Sequence, residues 1–387
     1  MIGADRIDRL RRWKEPIRRY ERHLSAAAMV VGYAVDNVTF GRVDHPGAHL
    51  VFSAYLAIAV FSIALAHWLQ GRNDRALGAV TDSEQPLPLE NKPERRFRLS
   101  VWLPVATQFA LGGLWSGFLV FYSRSAVLAA SWPFLLLLLA FLIGNEVFRR
   151  YHSRLVFASL LLFFALYSYA VFLVPVFTRS IGRITFVASG ACAIIVYYFF
   201  LRLLWVLDRD RYRESRWQLI GGGIAVTAAM NVFYFTGVLP PLPLALSGVG
   251  IYHGKPRHTG TVYQVQAEPQ SWMVRLGFEH PVVHTAPGET LALYSAVFAP
   301  IRMNTQITHR WQLWDARTGH WQTLSVVSFP ISGGRAQGYR GYSLKSAPRA
   351  GDWRVSIVSA DGRLIGRLVF DVVPVSSPVQ TTTRTLQ

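Results

Sequence analysis

One cysteine in 387 residues, Cys192, excludes an intramolecular disulfide and any cysteine-based zinc site. Acidic side chains are also scarce: 22 Asp and Glu stand against 40 Lys and Arg, a formal charge of +18. The histidines, among them His253, His258, His280, His284, His309 and His320, are scattered without HExxH or comparable ligand spacing. No metal centre is therefore expected, and no cofactor is called for. Gly221-Gly222-Gly223 is followed by no P-loop lysine, which argues against a phosphate-binding loop. Gly112-Gly113-Leu114-Trp115-Ser116-Gly117 has GxxSG spacing and no histidine in a later apolar run to act as base, so a serine–histidine dyad fails. Gly113 and Gly117 instead have the GxxxG spacing of a close helix-packing face.

Long apolar runs are plentiful. A bilayer core of ~30 Å asks for about 20 apolar residues per helix, and seven stretches meet that: 24–43, 49–69, 101–122, 126–148, 155–177, 181–207 and 217–239. The loops between them alternate in Lys and Arg. The tail 1–23 holds eight, the 70–100 connection six, the 149–154 turn three and the 208–216 turn four, whereas the opposite loops hold only Arg42, Arg124, Arg179 and Arg183. Excess basic charge marks the cytoplasmic side. The N-terminus is thus expected inside a bacterial inner membrane and the residues after about 245 in the periplasm. The basic loops imply the bilayer, and anionic lipid at its cytoplasmic face, as partners; no nucleic-acid motif accompanies them. Residues 1–23, with Ile7, Leu10, Trp13, Ile17 and Tyr20 on one face and arginines on the other, read as a basic amphipathic segment.

The texture changes near 240. Pro and Gly crowd 240–258, which reads as a linker. From 259 to 375 the period becomes two, with runs such as Leu291–Phe298, Gln306–Trp314 and Trp353–Val358, and Asp361-Gly362 marks a hairpin. Six or seven short strands without helix predict a periplasmic β-sandwich of immunoglobulin-like type behind an α-helical polytopic bundle. The Ser/Thr/Gln-rich tail 376–387 reads as disordered.

The succession His309-x-Trp311, Ile331-Ser332-Gly333-Gly334-Arg335, Gly338-Tyr339-Arg340-Gly341-Tyr342-Ser343-x-Lys345, Gly351-x-Trp353-Arg354-Val355 and Asp361-Gly362-x-Leu364-Ile365-Gly366 resembles a bacterial extracytoplasmic domain of unknown function (Domain of Unknown Function 2914 type) over roughly 275–374. The apolar half similarly resembles the multi-span region to which that domain is joined. The resemblance implies an architecture and a compartment, and no activity.

Two constellations are candidate sites. His309, Trp311, Arg335, Tyr339, Arg340, Tyr342 and Lys345 form the densest polar and aromatic group. They read either as a patch for an anionic or sugar-like ligand, since guanidinium grips phosphate or carboxylate in a fork, or as inter-sheet core with a solvated arginine rim. Within the apolar half, Asp36, Arg183 and Asn231 lie at similar depth, and ionisable groups there are costly enough to single out. They read either as a packing ion pair or as a pathway. Two functions follow: a non-enzymatic membrane anchor presenting a sandwich that binds an envelope glycan, anionic ligand or protein partner, or a transporter or lipid-modifying enzyme built around Asp36, Arg183 and Asn231.

Overall fold

The structure, a computed structural model, describes residues 46–81, 94–125, 128–147, 154–240, 243–259, 262–275, 279–300, 303–333 and 338–386. Among the described residues six long helices precede the strands: α1 (Pro46–Thr81), α2 (Glu94–Ser125), α3 (Leu128–Val147), α4 (Leu155–Thr178), α5 (Arg183–Leu207) and α6 (Arg209–Phe235). Among the described residues, five segments are long and apolar enough to cross a membrane: Gly47–Arg72, Trp102–Ser123, Leu155–Thr178, Arg183–Leu207 and Arg209–Phe235. The apolar part of α3, Ser131–Asn145, is shorter. The expected span 24–43 and the basic segment 1–23 lie outside the described residues. Helix ends follow local chemistry. Arg179 enters the left-handed region at φ 55° and stops α4, while the Asp208 carboxylate accepts the Arg211 N–H (3.3 Å) and starts α6.

The chain forms two compact units. One takes Met1–Phe121, Leu136–Leu166 and Val196–Val226. Its helices approach closely where glycine removes a side chain: the Tyr55 ring covers Gly113 and the Phe52 ring covers Gly117, as the GxxxG spacing anticipates. Aromatic rings fill the remaining space, with Trp115 against Phe141 (5.0 Å between centroids) and Phe163 stacked on Tyr197 (4.3 Å).

The other unit takes Tyr122–Leu135, Tyr167–Ile195 and Thr227–Gln387 and contains the β-sandwich. Its strands are β1 (Ala245–Thr259), β2 (Val262–Ala267), β3 (Val282–Thr285), β4 (Thr290–Phe298), β5 (Asn304–Asp315), β6 (His320–Ser332), β7 (Tyr339–Ser346), β8 (Gly351–Ser359), β9 (Leu364–Pro374) and β10 (Thr382–Leu386). A four-residue helix, α7 (Trp272–Arg275), follows β2. The first sheet runs β10-β2-β1-β4-β7 and the second β3-β9-β8-β5-β6, antiparallel except for β3 against β9. Between them Leu291, Leu293 and Ile251 meet Ile307, Val355 and Ile357. Trp311 stands edge-on to Trp353 (6.2 Å) and Phe370 (6.3 Å), all three without solvent contact.

Three expectations are corrected. Among the described residues the sandwich has ten strands rather than six or seven. The expected linker 240–258 is mostly β1, because its glycines serve close approach: the Tyr252 hydroxyl occupies the space a Cβ at Gly250 would take. The tail 376–387, expected to be disordered, supplies β10, whose β-branched threonines pair from Thr382 opposite Ala267 to Leu386 opposite Tyr263. That pairing covers the N–H and C=O row which β2 would otherwise leave open.

Candidate functional site

The structure separates the expected sandwich patch by facing. His309 and Trp311 share a face, as period two requires, but that face is the core: both are 0% exposed. His309 Nδ1 meets Ser343 Oγ at 2.9 Å and its Nε2 meets Ser295 Oγ at 2.8 Å. Trp311 Nε1 also donates to Ser343 Oγ (2.9 Å). These bonds join the two sheets, and a neutral imidazole satisfies both of its own by donating from one nitrogen and accepting at the other. Burial pushes the His309 pKa down to about 4, which keeps it neutral. His309 and Trp311 therefore cannot contact an external ligand, which corrects their assignment to a binding patch.

Tyr339 also turns inward and packs against the core. Lys345 lies between the sheets near the edge, 3.4 Å from Ser325 Oγ and 5.8 Å from the Trp353 ring. Tyr342 and Arg340 point outward, where Tyr263 meets Tyr342 (6.1 Å) and Tyr294 (5.8 Å). Burial raises the Tyr294 phenol, an effect Arg340 opposes. Arg335 lies outside the described residues.

The more open aromatic and cationic face is the outer side of the second sheet. Trp314 on β5 pairs across the strand with Trp321 on β6, their rings 5.3 Å apart at 61°. Arg354 on β8 lies over Trp321 (4.4 Å) and donates from Nε to Gln312 Oε1 (2.7 Å). Gln312 in turn donates to Thr323 Oγ1 (3.0 Å), which fixes its amide. Arg367 on β9 bonds Ser356 Oγ (3.4 Å). Arg354 is held below its ordinary pKa by burial and then by the like charge of Arg367. Two guanidiniums that repel each other beside two indoles form a surface suited to an anion flanked by a ring or an apolar group. The hairpin register carries the signal for this face, because Trp314 and Trp321 sit symmetrically about the Asp315–His320 turn.

A second cluster had no signal in residue spacing. His253 on β1 is 7% exposed and lies between two carboxylates, its Nε2 2.7 Å from Glu268 Oε1 and its Nδ1 2.6 Å from Glu289 Oε1. The other Glu268 oxygen meets His284 Nδ1 at 2.8 Å, and the first also accepts the His284 N–H (2.7 Å). Both imidazole nitrogens of His253 are thus engaged, and the ring bridges two acids. The chain links β1 of the first sheet to β3 of the second. Among the described residues, no group of three His, Cys, Asp or Glu can hold a metal ion. His253→Gln cannot reproduce the two-sided bridge between the carboxyl groups, and an expected loss of about 2 kcal/mol in the unfolding free energy of the sandwich checks this.

Of the three residues singled out in the apolar half, Asp36 lies outside the described residues. Asn231 spends its amide on the Thr227 carbonyl (2.8 Å) and the Tyr167 hydroxyl (3.4 Å). Arg183 is exposed at the first turn of α5 and lines an open groove of about 730 Å³ together with Asp361.

Residues 304–372, from β5 into β9, match the family described as protein of unknown function (DUF2914). The match lies within the 275–374 stretch that carries the sequence resemblance and identifies a C-terminal domain of that type. Among solved structures, an immunoglobulin-like protein from Pseudomonas aeruginosa is similar at 14% identity, over 34% of this chain and 97% of that one, with a TM-score of 0.21. The alkylpurine DNA glycosylase AlkC of Pseudomonas fluorescens, bound to DNA containing an abasic-site analogue, is similar at 10% identity, over 84% of this chain and 99% of that one, with a TM-score of 0.21. No curated protein matches the chain.

Proposed function

We propose that this is a bacterial inner-membrane protein with a cytoplasmic N-terminus, whose helices anchor a periplasmic β-sandwich that binds an anionic envelope ligand. The observation that carries the binding role is the Trp314–Trp321 pair clasped by Arg354, with Arg367 beside it, on the outer side of the second sheet. Indole and guanidinium groups dominate binding energy where they are presented together. Anchoring is supported by five helices of membrane-crossing length and by the alternating basic loops.

The test uses the full chain in lipid nanodiscs, screened against envelope glycans, anionic headgroups and acidic peptides. Trp321→Ala and Arg354→Gln are each expected to weaken a captured ligand by about 2 kcal/mol, roughly 30-fold. Binding that survives both substitutions removes the function from this face. Binding lost equally in Tyr342→Ala, on the opposite sheet, would reveal general unfolding rather than a site.

A further inference from the structure

The helical unit contains a cavity of about 760 Å³ where the ends of α1, α4 and α6 meet, within the ~300–1,000 Å³ range of small-ligand sites. Its charges are balanced. Arg75, Arg154 and Arg211 supply three cations, and Asp208, Asp210 and Glu214 supply three carboxylates. One pair belongs to the scaffold: Asp208 is 7% exposed, and its carboxylate takes a 3.0 Å bond from Arg75 Nη2. Room for that carboxylate exists because residue 71 is glycine; a Cβ there would collide with Asp208. The Asp208 carbonyl also meets His67 Nε2 (3.3 Å), which ties α1 to the start of α6. Leu155, Val156 and Leu160 of α4 supply an apolar part of its lining.

We propose that this cavity takes the headgroup of an aminophospholipid of the phosphatidylethanolamine class. A phosphodiester suits the fork of Arg154 and Arg211. A primary ammonium suits Asp210 and Glu214, to which it donates hydrogen bonds that a quaternary ammonium cannot give. A purely anionic headgroup would face three carboxylates and gain nothing from them. The apolar wall on α4 receives the start of an acyl chain, which a soluble zwitterion lacks. The proposal rests on the reading of the helices as membrane spans and is independent of the sandwich face.

The experiment measures thermal stabilisation of the full chain in detergent on adding phosphatidylethanolamine, phosphatidylglycerol, phosphatidylcholine or water-soluble glycerophosphoethanolamine. Phosphatidylethanolamine is expected to raise the melting temperature most. Arg154→Gln and Glu214→Gln, both exposed positions, should each cost about tenfold in apparent affinity for phosphatidylethanolamine, and Glu214→Gln should leave the response to phosphatidylcholine, whose quaternary ammonium donates no hydrogen bond, unchanged. Equal shifts from all three lipids, or a shift that both variants retain, overturn the proposal as general lipid solvation. An equal response to glycerophosphoethanolamine overturns the lipid as occupant. Alkaline carbonate extraction of native membranes tests the spanning reading separately, so its failure is distinguishable from failure of the site.

Discussion

Arg363→Ala is expected to lower the stability of the sandwich-containing unit by about 3 kcal/mol. The β8–β9 hairpin turns at Gly362, whose φ of 82° is open to glycine at no steric cost, and Ser359 and Arg363 close it with a 2.9 Å backbone bond. The turn delivers the Arg363 guanidinium to the segment that follows α6. There Nη2 donates to the carbonyls of Leu239 and Pro240, and the guanidinium lies 4.5 Å from the centre of the Tyr234 ring. The last helix carbonyls are taken within the chain, Val232 by Thr236, Phe233 by Leu239 and Tyr234 by Gly237, so the guanidinium serves the segment beyond the helix, with charge-assisted bonds roughly twice as strong as neutral ones. Burial holds the Arg363 pKa below its ordinary value, opposed by Tyr234 and Asp361. Truncation removes the bonds to Leu239 and Pro240 and the cation–π contact together. Arg363→Lys keeps the charge without the planar fork and should recover about half of the loss. Hydrogen exchange at residues 232–240 reads the effect locally. An alanine variant within 0.5 kcal/mol of the native protein, on the order of an ordinary surface substitution, would show that the guanidinium is a bystander.

Much of the sandwich is legible in the sequence because alternation is a local signal. Ile307, His309, Trp311 and Leu313 fall on one side of β5, and three apolar neighbours at that spacing identify the side as core. The same alternation assigns His309 to the core, although polarity alone suggests a ligand contact. What is not legible depends on distant partners. β1 hides behind glycines whose role is set by Tyr252, and β10 is too short and polar to declare itself without the β2 edge. The His253 network draws on β1, β3 and the segments flanking β3, so no spacing rule could collect it. The Trp314–Trp321 face escapes for a different reason: the two indoles are legible as a cross-strand pair once the hairpin is placed, but Arg354 and Arg367 join them only through the β5–β8–β9 order.

Acid should loosen the sandwich through His309, with the largest change between about pH 6.5 and pH 4. In the unfolded chain this imidazole titrates near its ordinary pKa of 6.5, whereas in the fold it does so at about 4. Between those values the unfolded state binds a proton that the folded state refuses, so stability is fully present above pH 6.5 and falls as the pH drops. The fall totals about 3 kcal/mol and levels off below the folded pKa. Asp371 acts with the opposite sign: burial and the neighbouring Asp352 raise its pKa, so it takes up a proton in the fold before it does so unfolded. His309→Gln separates the two. Glutamine can still donate and accept towards Ser295 and Ser343, so the network survives in part, but nothing titrates there. The variant starts less stable, having lost the edge-on contact with Phe329 (5.0 Å), and its stability should not fall between pH 6.5 and 4. Hydrogen exchange of the β5 amides across that range measures the slope directly. A native slope retained in His309→Gln would show that the acid response does not arise at His309.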